Sequence, residues 1–179
     1  MRVITGIARG KNILTLSGDA LRPTASRVKE GLFSAIQFDI EGRRVLDLFA
    51  GSGQLGIEAL SRGAERAVFI DESAEAISVI QKNLLTTGLA KSASVARSDY
   101  KSYLTMCKDK FDIVFIDPPY HKGFYNDALS LATRVMSDYG MIICEYPAEV
   151  TVPETVGEFV TYKKYRYGRV NISIYKKGE

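Results

Sequence analysis

Residues 45–56 read VLDLFAGSGQLG, and this stretch decides the fold. Its first half sets apolar side chains around Asp47 and predicts a short buried strand. Gly51, Gly53 and Gly56 then follow as G-x-G-x-x-G, and a helical run begins after them. A strand, a glycine turn and a helix in this order form the first unit of a nucleotide-binding α/β fold, because glycine lets the backbone turn tightly and lets a ligand approach closely.

Two carboxylates near the glycine turn bear on which ligand it binds. Asp71 ends the next apolar run, 20 residues beyond Gly51, where a carboxylate can accept both hydroxyls of an adenosine ribose. The glycine motif alone is compatible with NAD, FAD or S-adenosylmethionine. Asp47 lies four residues before the first glycine, where it disfavours an anionic pyrophosphate and favours the ammonium and sulfonium groups of S-adenosylmethionine.

A second motif follows a later strand. Residues 111–120 read FDIVFIDPPY, a buried strand that ends in Asp117-Pro118-Pro119-Tyr120. This tetrapeptide resembles the N/D-P-P-Y/F motif of methyltransferases that act on exocyclic amino groups. The Asp117 carboxylate and the Pro118 carbonyl can accept the N–H bonds of a base amine, and Asp117 can stabilise the charge that develops on its nitrogen. Tyr120 can stack on a flipped base. We therefore predict Asp117, Pro118 and Tyr120 as catalytic residues.

Composition limits the classes of protein to which the chain can belong. The chain has 179 residues, of which 46 % are hydrophobic and 25 % charged, as in one ordinary globular domain. No apolar run approaches the roughly 20 residues that span a bilayer, and the first residues lack the apolar core of a signal peptide. Cys107 and Cys144 match no metal or redox spacing, and a single His121 excludes a multi-histidine metal site. We expect reduced thiols, no metal and a cytoplasmic location.

The positive charge is concentrated at the two ends of the chain. Residues 1–30 and 161–179 each carry six Lys or Arg, whereas residues 31–160 carry 12 basic and 18 acidic residues. If the two ends fold onto one face, their basic side chains form a phosphate-binding surface. Alternatively, these lysines and arginines are scattered over the surface and only contact solvent. The C-terminal run YKKYRYGR also interleaves tyrosines with cations, which suits unpaired bases.

The rest of the chain alternates strands and helices. Strands are predicted over residues 45–49, 67–71, 93–97, 112–116 and 140–146, helices over 54–62, 74–87 and 125–136, and a further helix after Thr24. This alternation predicts a parallel sheet with right-handed crossovers. A basic hairpin over residues 2–17 is expected outside that sheet, and a C-terminal hairpin that turns at residues 167–168 is expected at its edge.

Ligands of such sheets bind at the carboxyl ends of the strands, and the candidate residues fall there. Asp99 follows the third strand, where it either accepts the adenine amino group or caps a helix; the sequence leaves both open. Glu145 ends the strand at 140–146, and the sequence does not decide between a surface and a pocket position.

The motifs together resemble one family. The stretches RVITGIARGKNI, LRPTASRVKEGLF, VLDLFAGSGQLGIEALSRGA, FIDPPY and YGRVNISIY run from end to end of the chain. They resemble the RsmD family, the bacterial 16S ribosomal RNA guanine-N2 methyltransferases. The resemblance implies a Rossmann-like class I S-adenosylmethionine-dependent methyltransferase. Its central sheet would be mostly parallel with an antiparallel C-terminal hairpin edge. A small N-terminal β-hairpin extension (residues 1–20) would precede the methyltransferase domain (residues 21–179).

The resemblance also implies the reaction and its partners. S-adenosyl-L-methionine would be the methyl donor and S-adenosyl-L-homocysteine the product. The acceptor would be guanine 966, in the family's label, of the 16S rRNA in the 30S subunit or its assembly intermediate. That guanine lies in a hairpin loop, which fits recognition of an unstacked base. We expect a monomer, because no exposed heptad or long apolar patch is evident.

The predicted site residues fall into two further groups. The cofactor-binding residues are Asp47, Phe49, Gly51, Ser52, Gly53, Asp71 and Asp99. The RNA-binding residues are Arg2, Arg9, Lys11, Arg22, Arg27, His121, Lys122, Arg166 and Arg169. Gln54 stands where a small residue is common in the family.

Two other functions stay compatible with these motifs. One is an amino-methyltransferase that acts on another base, such as adenine N6, in RNA or DNA, although no inserted target-recognition domain is present. The other is a non-catalytic S-adenosylmethionine-binding ribosome assembly factor, against which an intact DPPY motif argues.

Overall fold

The computed structural model describes residues 1–16, 23–120 and 123–178. The helices are α1 (Pro23–Ala35), α2 (Gln54–Ser61), α3 (Ala74–Thr87), α4 (Tyr100–Met106) and α5 (Tyr125–Ala132). The strands are β1 (Arg44–Asp47), β2 (Arg66–Asp71), β3 (Ala93–Arg97), β4 (Phe111–Ile116), β5 (Met136–Pro147), β6 (Thr155–Val156), β7 (Phe159–Tyr167) and β8 (Val170–Lys177). None of the helices in these residues is both long and apolar enough to cross a membrane.

The strands of the described residues form one sheet in the order β3-β2-β1-β4-β5-β8-β7-β6. The first five in chain order pair in parallel, and β8, β7 and β6 extend the sheet antiparallel from β5. The expected fold, a mostly parallel Rossmann-like sheet with an antiparallel C-terminal edge, is confirmed. The order changes direction at β1, where β2 pairs on one side and β4 on the other, and ligands of open α/β sheets bind at such a switch point.

Helices cover both faces of the sheet. On one face α1, α2 and α3 pack with strand residues such as Phe69 and Phe115, and the Phe33 and Phe115 rings lie 5.7 Å apart. On the other face α4 and α5 contribute Leu104 and Leu129 to a second apolar cluster. Because the central strands are buried on both faces, their sequences are nearly continuous apolar runs, the pattern from which they are predicted.

The glycine motif sets how closely α2 approaches the sheet. A Cβ placed on Gly56 would lie 2.3 Å from the Phe69 ring of β2, so only glycine allows this contact. Gly53 precedes α2 with φ of 80°, a left-handed conformation that glycine adopts without strain. The third glycine therefore serves helix-to-strand packing, and the second serves the turn.

The N-terminal segment differs from the predicted hairpin. Residues 2–17 were expected to hold two strands, but the described part holds an isolated antiparallel bridge between Arg2 and Asn12. Backbone bonds such as Val3 N–H to Lys11 O at 3.0 Å and Ile13 N–H to Met1 O at 2.9 Å join the two arms around that bridge, and no strand longer than the bridge forms among the described residues of the segment. Other backbone groups of the segment bond to polar side chains of α2 and α3. The Ile4 and Thr5 N–H groups donate to Glu58, the Ala8 N–H to Ser61 and the Leu14 N–H to Asn83.

The prediction for residues 125–136 is wrong at its end. Helix α5 stops at Ala132, a short 3₁₀ turn covers Thr133–Val135, and β5 begins at Met136 instead of residue 140. The extra strand residues pair with the start of β4 through a register shift, and the Ser137 hydroxyl donates to Asp112 at 2.7 Å. The helix expected after Thr24 is present as α1, but it already begins at Pro23, so Thr24 lies within its first turn.

Candidate active site

One cavity of about 1180 Å³ opens at the carboxyl ends of β1, β2, β4 and β5. It brings together the strand-end residues that the sequence singles out: Asp47, Phe49, Gly51, Ser52, Asp71, Asp99, Asp117, Pro118 and Tyr120. Gly53, the N-cap of α2, does not line the cavity itself, but its chain neighbours Ser52 and Gln54 do. Met1, Leu16 and Val28 complete one wall, and Arg169 stands at the tip of the β7–β8 hairpin on the rim.

Asp71 ties the glycine turn to the start of α3. One carboxylate oxygen accepts the Gly51 N–H and the other accepts the Ser73 N–H, both at 2.9 Å. A carboxylate oxygen has a second lone pair, so these bonds leave room for ribose hydroxyls. The carboxylate is therefore held in place by the backbone before any ligand arrives, and the ribose role of Asp71 stays a prediction.

Asp47 is almost fully buried under the glycine turn, at 2 % exposure. Burial raises its pKa to about 7, the Gly56 N–H bond at 2.9 Å opposes that rise, and the charge of Asp71 adds to it. A cation in the cavity would favour the ionised carboxylate. The described lining holds Asp47, Asp71, Glu72, Asp99, Asp117 and Glu145 against Lys101 and Arg169. This excess of carboxylates suits a cationic cofactor better than a pyrophosphate.

Gln54 offers an independent indication of a ligand. Its Oε1 atom is buried and has no hydrogen-bond partner among the residues that the structure describes, and the side chain lines the cavity. A buried acceptor without a donor is costly, and a ligand N–H group in the cavity would satisfy it. Sequence reasoning noticed Gln54 only as a departure from the family pattern, because its orphaned oxygen is visible only after folding.

Asp99 caps α4, so one of its two predicted roles is confirmed. Its Oδ1 accepts the Ser102 N–H at 2.9 Å, and that bond holds the pKa of the carboxyl below its usual range. The residue also lines the cavity, and contact with an adenine amino group stays a prediction.

An aromatic cluster lies beside Asp99, and of its three members sequence reasoning singled out Phe49 but missed Tyr100 and Phe124. The Tyr100 ring lies 5.2 Å from that of Phe49 and 5.3 Å from that of Phe124, and all three residues line the cavity. The Tyr100 hydroxyl donates to Asp127 at 2.8 Å, which holds the ring in place. The position of Tyr100 directly after a strand-end aspartate was the available signal. The cluster supplies an apolar wall against which a planar ring can pack.

The DPPY motif faces the glycine turn across the same cavity. Pro118 is buried, and Tyr120 is half-buried with its hydroxyl donating to Glu145 Oε1 at 3.4 Å. Burial raises the pKa of Tyr120, and the charges of Glu145 and Asp117 raise it further. Burial also raises the pKa of Glu145 to about 7, against the effect of the Tyr120 bond. Glu145, which the sequence left open, is thus a cavity carboxylate.

The predicted RNA-binding residues divide into three groups. Arg169 lies on the cavity rim, and Arg2, Arg27 and Arg166 are exposed. Gly31 of α1 packs against Tyr167 of β7, which brings the two basic ends of the chain together. Residues Arg22, His121 and Lys122 lie outside the described residues.

Arg9 and Lys11 are not brought to the cavity. Their turn contacts Ser61 and Thr87, the last residues of α2 and α3. The cavity instead meets the start of α2 and Ser73, the N-cap of α3. At 1.5 Å per residue the separation is roughly 12 Å along α2 and roughly 21 Å along α3. A contact of these two side chains with RNA stays a prediction, and it would lie remote from the reacting base.

Comparison with known proteins gives the family. The family described as "Conserved hypothetical protein 95" matches residues 1–176. The chain is 41 % identical over 182 residues to "Putative rRNA methyltransferase YlbH" of Bacillus subtilis, with 99 % of each protein covered. It is 32 % identical over 179 residues to ribosomal RNA small subunit methyltransferase D of Escherichia coli K12, covering 99 % of this chain and 90 % of that protein. The chain belongs to this family, the RsmD family.

A solved structure agrees with this membership. "Putative methyltransferase yhhF from Escherichia coli" superposes with a TM-score of 0.86 at 34 % identity, over 99 % of this chain and 97 % of that one. The family and the fold expected from the motifs are therefore confirmed. The fold is that of the S-adenosyl-L-methionine-dependent methyltransferases, and S-adenosyl-L-methionine, the expected cofactor, is the cofactor of this class.

Proposed function

We propose that the protein transfers a methyl group from S-adenosyl-L-methionine to the exocyclic N2 amino group of a guanine in 16S rRNA, the guanine that the family labels 966. The observation that carries this proposal is the opening of the DPPY turn into the same cavity as the glycine turn and Asp71. A cofactor site and a set of amine acceptors thus share one space. The names of the relatives, which are rRNA methyltransferases, support RNA as the substrate.

The residues on the glycine-turn side fit the cofactor. Asp47 and the unpartnered Gln54 Oε1 would hold its cationic end, Asp71 would hold the ribose, and Asp99 with the aromatic cluster of Phe49, Tyr100 and Phe124 would hold the adenine. When bound, S-adenosyl-L-methionine supplies a methyl group already activated on a sulfonium. The protein therefore has to position the acceptor nitrogen and exclude water, not to activate a leaving group.

The DPPY residues would hold the acceptor amine. The nitrogen lone pair of a base amine is delocalised into the ring, so the amine is a poor nucleophile. Two acceptors, the Asp117 carboxylate and the Pro118 carbonyl, hold its N–H bonds and favour the pyramidal nitrogen that can attack. Asp117 also stabilises the positive charge that develops on the nitrogen. Tyr120, half-buried on the cavity wall, can stack on the flipped base.

The rim is suited to the RNA backbone around that base. Arg169 on the hairpin tip, with Arg166 and Arg27 exposed nearby, would contact phosphates. Two of the four lysines in the tail are paired within the protein, Lys164 with Glu154 and Lys177 with Glu158. We therefore assign the phosphate contacts to these arginines rather than to the tail lysines. The substrate would be the 30S subunit or an assembly intermediate that exposes the hairpin loop.

The test is methyl transfer from labelled S-adenosyl-L-methionine to three acceptors in parallel: 30S particles that lack the modification, naked 16S rRNA and duplex DNA. Separation of the product nucleosides should give N2-methylguanosine, strongest on the particle. N6-methyladenine would keep the fold and cofactor but overturn the substrate. Absence of transfer while cofactor still binds would favour a non-catalytic assembly factor.

A pair of variants makes the test specific to the site. Asp117→Ala should abolish transfer while cofactor affinity by calorimetry stays unchanged. Asp109→Ala, which removes an exposed aspartate two residues before β4, is the matched control and should transfer normally. Full activity of the Asp117→Ala protein would refute the catalytic assignment.

A further inference from the structure

Glu145 stands beside Asp117 because of the strand register. Ile116 of β4 pairs with Cys144 of β5 in parallel, so the next residue of each strand, Asp117 and Glu145, lies at the same level of the sheet. Neighbouring strands are roughly 4.8 Å apart, and residues at the same level of a parallel pair point to the same face. Both side chains line the cavity, so two carboxylates border the place proposed for the acceptor base.

The position of Glu145 is held from two sides. Tyr120 of the DPPY motif donates its hydroxyl to Glu145 Oε1 at 3.4 Å. The backbone of Glu145 is fixed between β4 and β8, where it pairs with the fully buried Ile172. The carboxylate is thus connected to the motif that would hold the base amine, and its strand is central in the sheet.

The contacts proposed above for guanine involve its amino group and do not recognise the N1 position beside it. Beside the N2 amine, guanine carries an N1–H donor, whereas adenine carries an N1 acceptor beside its N6 amine. Asp117 and the Pro118 carbonyl can hold an exocyclic amine of either base, so the DPPY motif does not distinguish them. A second carboxylate next to the amine site would accept a neighbouring N–H donor and repel a neighbouring lone pair.

We propose that the Glu145 carboxylate accepts the N1–H of the target guanine and thereby selects guanine over adenine. This inference rests on the proposed function and assigns its base specificity to a residue outside the DPPY motif. Asp117 and Pro118 hold the amine that reacts, and Glu145 reads the ring position beside it. Tyr120 acts on this step as a positioning residue through its bond to Glu145.

The test compares guanine with 2-aminopurine at the target position of RNA reconstituted into 30S particles. 2-Aminopurine keeps the amino group at C2, but its N1 is an acceptor without a proton. The wild-type protein should methylate guanine roughly 10- to 100-fold faster than 2-aminopurine. In Glu145→Gln the amide can donate to N1 of 2-aminopurine, so the ratio of the two rates should fall at least about tenfold.

Glu149→Gln is the matched control, because Glu149 is exposed on the segment that follows the same strand and does not line the cavity. It should keep the wild-type ratio. Cofactor affinity of Glu145→Gln, measured by calorimetry, should stay within about twofold of wild type. An unchanged ratio in Glu145→Gln would overturn the proposal, and so would a loss of cofactor binding together with activity, which would mark Glu145 as structural.

Failure of the proposed function would look different. It would be visible in the wild-type protein alone, as the absence of N2-methylguanosine from the guanine-containing particle, and it would remove this inference as well. If the Glu145→Gln protein proves unfolded, Glu145→Asp provides the second variant. Its shorter carboxylate should lower the rate on guanine without gaining activity on 2-aminopurine, and an equal gain on 2-aminopurine would contradict the role.

Discussion

Substitution of the buried Glu58 is the sharpest test of how the N-terminal segment is attached to the rest of the protein. Glu58 lies in α2 with its side chain fully buried. One oxygen accepts the Ile4 N–H at 2.9 Å and lies 3.4 Å from Lys29 Nζ. The other accepts the Thr5 N–H at 3.0 Å and the Arg62 Nε–H at 2.9 Å. Among the described residues, Glu58 is therefore the one charged side chain that holds Ile4 and Thr5, beside the bonds that Ser61 and Asn83 make to other parts of residues 1–16.

The expected cost of Glu58→Gln follows from these contacts. Glutamine keeps the shape and one carbonyl oxygen, so one backbone N–H loses an acceptor that carried charge, a bond worth about 1.5 to 3 kcal/mol. Lys29, only 2 % exposed, is left without its counter-ion, and burial already lowers its pKa. Breaking a buried ion pair costs about 3 to 5 kcal/mol. We expect Glu58→Gln to lower the free energy of unfolding by about 3 to 5 kcal/mol, out of the total of about 5 to 15 kcal/mol that is typical of a native protein.

Chemical denaturation measures the loss in the free energy of global unfolding. Hydrogen exchange at the Ile4 and Thr5 amides measures the loss of local stability in the N-terminal segment. Adding Lys29→Met to Glu58→Gln removes the stranded cation, so the double variant should be less destabilised than the sum of the single ones by about 1 to 3 kcal/mol. Glu65→Gln, an exposed glutamate after α2, is the control. A change within about 0.5 kcal/mol in Glu58→Gln, with exchange at both amides unaltered, would refute the reasoning.

Four further outcomes are expected. Cofactor affinity by calorimetry should weaken up to about tenfold per unit as pH falls below about 7, because the cation binds ionised Asp47; Asp47→Asn should flatten this dependence. Gln54→Ala should weaken cofactor binding about 5- to 10-fold, and an unchanged Kd would contradict the contact. The free energy of unfolding should fall as pH rises from 4.5 to about 7, because Glu145 ionises at lower pH when unfolded; Glu145→Gln should remove that part of the slope. The charge reversals Arg166→Glu and Arg169→Glu together should reduce the slope of the logarithm of RNA affinity against the logarithm of salt concentration by about 2. An unchanged slope would show that the hairpin tip is not part of the interface.

Local motifs carried most of the prediction of the fold. The glycine turn, the apolar strands and the capping residues are short-range signals, since a buried parallel strand must be apolar and a tight turn requires glycine. Helix α3 is predicted over residues 74–87, and the structure confirms these bounds, with Gly88 as the C-cap. The boundary between α5 and β5 was missed because the pairing of Met136 with Phe111 is a contact across 25 residues that no local pattern encodes.

The sequence by itself determined the fold class, the family and which strand ends line the cavity. Parallel strands in a fixed order bring Asp47, Asp71 and Asp117 to one edge of the sheet, so their convergence follows from topology alone. Tertiary structure decided what depends on long-range neighbours: the buried anchor at Glu58, the orphaned oxygen of Gln54 and the place of Glu145 beside Asp117. Burial and register are set by residues distant in the chain, and only folding creates them.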